Sequence, residues 1–244
     1  DNFHPLKKSR VAVNERLNLN IILFLYFSFN ILGFLLGYIF INKFFLYTLI
    51  SFSISGLLYN VKPFRLKNLP YIDVMLESIN NPIRFFLGWF IVIDKINFLP
   101  PISFILFYWF AGGFLMSSKR LAEYRYFQKF SNLKKLVKYR VAYLYYDEIK
   151  LIIFSILLLM LSSFNIAVFL IKYREELILI YPLICLIFCY YFYITLKIDK
   201  LSLSPEKIYV DKKLFFMVGL LIVAFILVIE VDIKIIQNLL RQTP

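Results

Sequence analysis

The chain has 244 residues, of which 61% are hydrophobic and 20% aromatic, and its mean hydropathy is +0.75. A soluble domain carries about 45–50% apolar residues, so a water-soluble globule, a disordered tail and a secreted disulfide scaffold are all excluded. The 28 Lys and Arg against 15 Asp and Glu leave a formal charge of +13; in an integral membrane protein that excess reports cytoplasmic loops and anionic headgroups or substrates, not nucleic acid.

Residues 1–18 are polar throughout and do not read as a cleavable signal. A spanning helix takes about 20 mostly apolar residues. Seven windows meet that demand: residues 19–41, 44–60, 73–93, 99–118, 143–170, 177–196 and 214–231. The second is short and the third carries charge. None alternates as a barrel strand would. The expected fold class is therefore all-α, a polytopic transmembrane helix bundle forming one domain over residues 1–244.

Seven crossings place the connecting segments alternately on two sides. Lys7, Lys8, Arg10, Lys62, Arg65, Lys67, the eight basic residues from Lys119 to Arg140 and those from Lys197 to Lys213 share the side of the N-terminus. Few basic residues fall on the other side, among them Lys43, Lys172 and Arg174. That asymmetry predicts a multi-pass cell-membrane protein with a cytoplasmic N-terminus and an external C-terminus. Cys185 and Cys189 lie four apart in an apolar run and read as packing residues, with no second ligand cluster beside them.

Three segments on the basic side stand out. The first, Asp1-Asn2-Phe3-His4-Pro5-Leu6-Lys7-Lys8-Ser9-Arg10, gathers a carboxylate, the only histidine and three cations. The second runs from Tyr59 through Lys62, Arg65 and Lys67, ahead of Pro70 and Asp73. The third is Lys119-Arg120-Leu121-Ala122-Glu123, at the end of the fourth window. Positive-inside bias alone would produce such runs, since Lys and Arg at helix ends snorkel to headgroups. In the third window Asp73, Glu77, Asn80, Asn81 and Arg84 recur at helical spacing and are expected on one stripe of one helix. Charges at membrane depth cost at least about 2.5–3.5 kcal/mol each. They are therefore expected either to pair, Glu77 with Arg84, or to line a hydrophilic cavity of Asp73, Glu77, Asn81 and Arg84. Tyr145, Tyr146, Asp147, Glu148 and Lys150 form a second polar group, read as interfacial.

Asp1-x-x-His4-Pro5-x-Lys7-x-x-Arg10 resembles the end of the first aspartate-rich motif of the UbiA superfamily of intramembrane transferases. Arg65-Leu66-Lys67 and Pro70-Tyr71-Ile72-Asp73-Val74 are similar to the loop and helix start found two helices later in that family. Most members then carry a second aspartate pair. Here Lys119-Arg120-x-Ala122-Glu123 stands instead, similar to the branch of decaprenyl-phosphate phosphoribosyltransferases. Val11 departs from the family's usual Pro, and Asn14-Glu15 from its Gly.

The resemblance implies a nine-helix fold, of which this chain is expected to lack the first two helices and most of the first metal motif. It implies Mg²⁺-dependent transfer of 5-phosphoribose from phosphoribosyl pyrophosphate to a polyprenyl phosphate. The implied site comprises Asp1 as metal ligand, Lys119 and Glu123 as catalytic residues, and Lys7, Arg10, Tyr59, Arg65, Lys67 and Arg120 as the phosphate cradle. With its metal motif incomplete, the chain alone is expected to be inactive or very weak. The resemblance also admits prenyl transfer from a polyprenyl diphosphate to an aromatic acceptor. A different class, an inactive or non-enzymatic membrane protein, stays open, as does a homo-oligomer. A transporter is disfavoured by the few glycines and the lack of internal repeats.

Overall fold

The computed structural model describes residues 18–93, 98–130, 133–197 and 211–231. All regular structure among them is helical: α1 (Leu19–Phe40), α2 (Lys43–Asn60), α3 (Ile72–Ser78), α4 (Asn80–Val92), α5 (Ile102–Phe130), α6 (Leu133–Tyr139), α7 (Glu148–Tyr173), α8 (Tyr181–Leu196) and α9 (Lys212–Ile229). Short 3-10 turns occupy Leu66–Asn68, Val141–Leu144 and Glu175–Ile180. Five segments are long and apolar enough to cross a membrane: Asn20–Phe40, Ile102–Phe130, Glu148–Tyr173, Glu175–Leu196 and Lys212–Ile229. The protein is an integral, all-α polytopic membrane protein. The two windows that fall outside these five, 44–60 and 73–93, are the short one and the charged one. The chain divides into two compact units, Asp1–Pro100 with Tyr126–Asp147, and Pro101–Arg125 with Glu148–Pro244.

In the first unit, side-chain amides and hydroxyls fix the helices. Asn18 caps α1 and Asn42 caps α2, each accepting from a backbone N–H of the first turn. The Asn42 amide also donates to the Phe90 carbonyl of α4. Ser53 donates to Asn30 at 2.9 Å, joining α2 to α1, and Ser55 donates to Asn80 at 3.0 Å, joining α2 to α4. Such bonds matter where lipid is as apolar as the helices and gives no hydrophobic drive to associate. Gly33 and Gly37 turn toward α2, and a Cβ added at Gly37 would lie 3.1 Å from the Phe45 ring. The small residues let the two backbones approach closely.

The third window does not form one helix. It breaks at Ile79 into α3 and α4. Pro82 has no N–H to offer the Ser78 carbonyl, and its ring crowds that carbonyl, so the ladder is interrupted one turn before it. The polar stripe expected on a single helix is split accordingly.

In the second unit, α7 buries Leu151, Ser155, Leu158, Ser162, Asn165, Ile166 and Leu170, a stripe at helical spacing. Its opposite face exposes Ile149, Ile153, Leu157, Met160, Phe164 and Ile171, which suits lipid. Ser117 of α5 and Ser155 of α7 share a hydrogen bond of 2.8 Å, with both side chains fully buried. The fourth window was expected to end at Ser118, yet α5 continues to Phe130. No Gly or Pro follows Gly113 in that helix, and Lys, Arg, Leu, Ala and Glu are strong helix formers. The fifth helix starts later than its window, because residues 141–144 form a 3-10 turn before Glu148 opens α7. Cys185 and Cys189 are free thiols, and Cys185 lies 3.9 Å from the Ser163 hydroxyl.

The packing of α1 on α2 makes a prediction. Gly37→Leu is expected to destabilise the protein by about 1–3 kcal/mol through overpacking, read as a lower unfolding midpoint in detergent. Gly219→Leu on α9, where nothing lies within 4 Å of the added Cβ, should leave the midpoint unchanged; equal losses in both would refute the close contact.

Candidate functional site

The segment after α2 is built from consecutive backbone bonds. Arg65 N–H donates to the Val61 carbonyl, Asn68 to Arg65, Leu69 to Leu66 and Asp73 to Leu69, at 2.8–3.0 Å. Two residues bracketing the 3-10 turn hold positive φ: Arg65 at 37° and Tyr71 at 64°. For non-glycine residues this conformation costs on the order of 1–3 kcal/mol and persists only where its surroundings impose it. Arg65 Nε is buried without a hydrogen-bond partner. The residue lines a cleft of about 480 Å³ together with Lys62, Pro63, Phe64, Asn68 and Leu69. Lys67 Nζ donates to Asn60 at 3.2 Å. An orphaned guanidinium donor in a basic cleft suits an oxyanion, which an Arg fork can bind in bidentate fashion.

Beside this loop lies a buried, multiply bonded carboxylate, that of Asp73. Asp73 has no exposed surface. It accepts from Arg140 Nη1 at 2.7 Å and from the Tyr146 hydroxyl at 2.5 Å. The Tyr146 oxygen in turn accepts from the Tyr71 N–H at 2.6 Å, and the two rings meet edge to face. Arg140 Nη2 donates to the Tyr59 hydroxyl at 2.9 Å, and Tyr59 donates to Glu77 at 2.7 Å. Glu77 also stands 3.8 Å from Arg140. The partner of Glu77 is thus Arg140, not Arg84 as the spacing suggested. Arg84 is exposed and lies over the Phe52 ring, 5.6 Å from its centroid. Asn81 is half-buried. Ile79 keeps helical dihedrals, φ −62° and ψ −20°, and Arg84 parts from Glu77 because it lies roughly 10 Å further along the helical rise. Asp73 and Glu77 stay on α3 facing Arg140, while Asn81 and Arg84 begin a new helix.

Tyr146, of the group expected to be interfacial, is buried within the protein. Glu148, from the same group, does pair outward with Arg125 at 3.3 Å. Arg140 escaped notice as a functional residue. The only signal for it was indirect, in that an intramembrane Asp demands a cation and Arg140 is one of several candidates in its loop.

In the second unit, Arg120 and Glu123 are almost completely buried, and they pair at 3.4 Å one turn apart on α5. Lys119 beside them is half-buried. The third sequence motif is therefore intrahelical, where a loop end was expected. Asp1, Lys7 and Arg10 lie outside the described residues. Among those described, no three His, Cys, Asp or Glu side chains converge where a metal ion would sit. Asp73 and Glu123 are committed to Arg140 and Arg120.

Long apolar helices with paired charges buried beside basic segments define a polytopic membrane protein that handles charge within its fold. The UbiA prenyltransferase family model matches residues 1–220, and the chain belongs to that family. No curated protein and no solved structure matches it. Membership supports a transferase of prenyltransferase type, working on polyprenyl substrates at a lipid bilayer.

A double-mutant cycle with Arg120→Gln and Glu123→Gln is expected to return a coupling of about 1–3 kcal/mol in thermal unfolding. Additive effects would show that the pair contributes nothing.

Proposed function

We propose that the protein transfers 5-phosphoribose from phosphoribosyl pyrophosphate to a polyprenyl phosphate, a specialised form of its family's chemistry. The observation that carries this reading is the helical run Lys119-Arg120-Leu121-Ala122-Glu123, standing where the resemblance puts a second aspartate pair. An aspartate pair recruits positive charge from solution, whereas Lys119 and Arg120 supply it from the chain. Two phosphate-bearing substrates favour the second arrangement.

In the reaction, an oxygen of the lipid phosphate attacks C1 of the ribose. The bond from C1 to the pyrophosphate oxygen breaks, and pyrophosphate leaves with the electron pair. The nucleophile is already anionic, so no general base is needed. This agrees with a chain whose only histidine is His4. Charge growing on the leaving group is offset by fixed cations, a role assigned here to Arg65 and Lys67, while Lys119 keeps the catalytic role that the resemblance implies. Glu123 holds the Arg120 guanidinium in place. Tyr59, bonded to Arg140, orients the polar face of α2. The requirement for Mg²⁺, through Asp1, and the contribution of Lys7 and Arg10 belong to the same proposal, as does a cytoplasmic site face.

Membranes carrying the protein expressed from its complete gene, given labelled phosphoribosyl pyrophosphate, polyprenyl phosphate and Mg²⁺, are expected to incorporate label into a lipid fraction. Lys119→Ala should lower that rate about 10²-fold, the usual loss when a charge-stabilising group is removed, and a chelator should abolish it. Label transfer only from a polyprenyl diphosphate to an aromatic acid would overturn the reading in favour of prenyl transfer. Transfer from neither donor would indicate a non-enzymatic protein.

A further inference from the structure

We infer that Tyr146 is a positioning residue that sets the conformation of the basic loop 62–67 through the backbone of Tyr71. This rests on the reading of Arg65 and Lys67 as pyrophosphate ligands. The Tyr146 hydroxyl does two things at once, donating to Asp73 and accepting from the Tyr71 N–H. Tyr71 sits at φ 64°, ψ −43°, a region a bulky side chain does not hold unaided. The Tyr146 hydrogen bond and edge-to-face ring contact hold it there, together with the 2.8 Å bond from the Ile72 N–H to the Pro70 carbonyl that closes the turn across it. Without that hydroxyl, the Tyr71 amide loses the Tyr146 bond, and with it one of the restraints that oppose the return of its φ to the favoured negative region.

The effect on the loop follows from the hydrogen bonds already described. Asp73 N–H is tied to Leu69, Leu69 to Leu66, Asn68 to Arg65, and Arg65 to the end of α2 at Val61. Tyr71 lies within this run, between the fixed carboxylate of Asp73 and the turn that presents Arg65 and Lys67. A rotation about its φ therefore displaces the turn as a unit. Arg65, itself in a left-handed conformation with its Nε unpartnered, has nowhere to absorb the change. Arg140 anchors the far side of the device, because its two terminal nitrogens separately reach Asp73 and Tyr59. A lysine there keeps the charge but has no fork with which to reach both.

Tyr146→Phe removes one oxygen and leaves the ring, so it opens no sizeable cavity. Two measurements on the detergent-solubilised full chain test the inference: binding of inorganic pyrophosphate by calorimetry, and tryptic cleavage after Arg65 and Lys67. The expected result is roughly tenfold weaker pyrophosphate binding, equivalent to about 1.4 kcal/mol, with faster cleavage, at a temperature where the variant remains folded. Arg140→Lys should shift both readouts in the same direction. Tyr145→Phe, on an exposed neighbouring ring, should shift neither. Faster cleavage with unchanged affinity would overturn the positioning role and leave Tyr146 structural. Unchanged cleavage would overturn the link between Tyr146 and the loop. If Tyr146→Phe does not fold, Arg140→Lys decides by the same two readouts. If the unmodified protein binds no pyrophosphate, the transferase reading fails, and the loop-setting role is judged by the cleavage rates alone.

Discussion

A carboxylate with no exposed surface must meet a cation, and Asp73 meets Arg140 across 67 residues of chain. Breaking such a pair by removing one partner typically costs about 3–5 kcal/mol, because the other charge is left stranded. That penalty makes the encounter compulsory. The segment that follows α6 must therefore return to the start of α3, bringing Tyr143 and Tyr146 into the same cluster. Tyr71, Tyr59 and Glu77 are then placed by what surrounds Asp73. A single ionisable residue thus dictates the geometry of the first unit around its basic loop.

The second unit applies the same rule over a shorter reach. Arg120 and Glu123 meet one turn apart on α5, at 3.4 Å, so this contact is made within a single helix. The helices around them use another device, small hydroxylated residues such as Ser117 and Ser155 that bond across a close contact. Neither pair by itself identifies a reaction.

Legibility in the sequence followed the range of the interaction. Hydropathy located α1, α7, α8 and α9 within a few residues, because burial in lipid depends only on local composition. The split at Ile79 was written locally too, in Pro82, but helical spacing of the charged residues outweighed it. The length of α5 was misjudged for the opposite reason. A hydropathy window stops at Lys119, whereas helix propensity continues through Glu123 and beyond. The pairing of Asp73 with Arg140 was not readable at all, since nothing near either residue encodes a partner so far away. The family match bears out the superfamily resemblance of the first two basic segments, while the branch suggested by the short-range spacing of Lys119, Arg120 and Glu123 belongs to the proposal.

The uninterrupted length of α5 has a consequence for depth. From Ile102 to Arg120 the helix rises about 27 Å at roughly 1.5 Å per residue, close to the hydrocarbon thickness of about 30 Å. The buried ion pair thus stands about one hydrocarbon thickness from the first turn of the helix. On the proposed reading, that separation lets a long-chain lipid phosphate meet the pair without the phosphate being drawn into oil or the tail lifted into water. Selection on that reading begins with vertical register, before any contact that distinguishes one head from another.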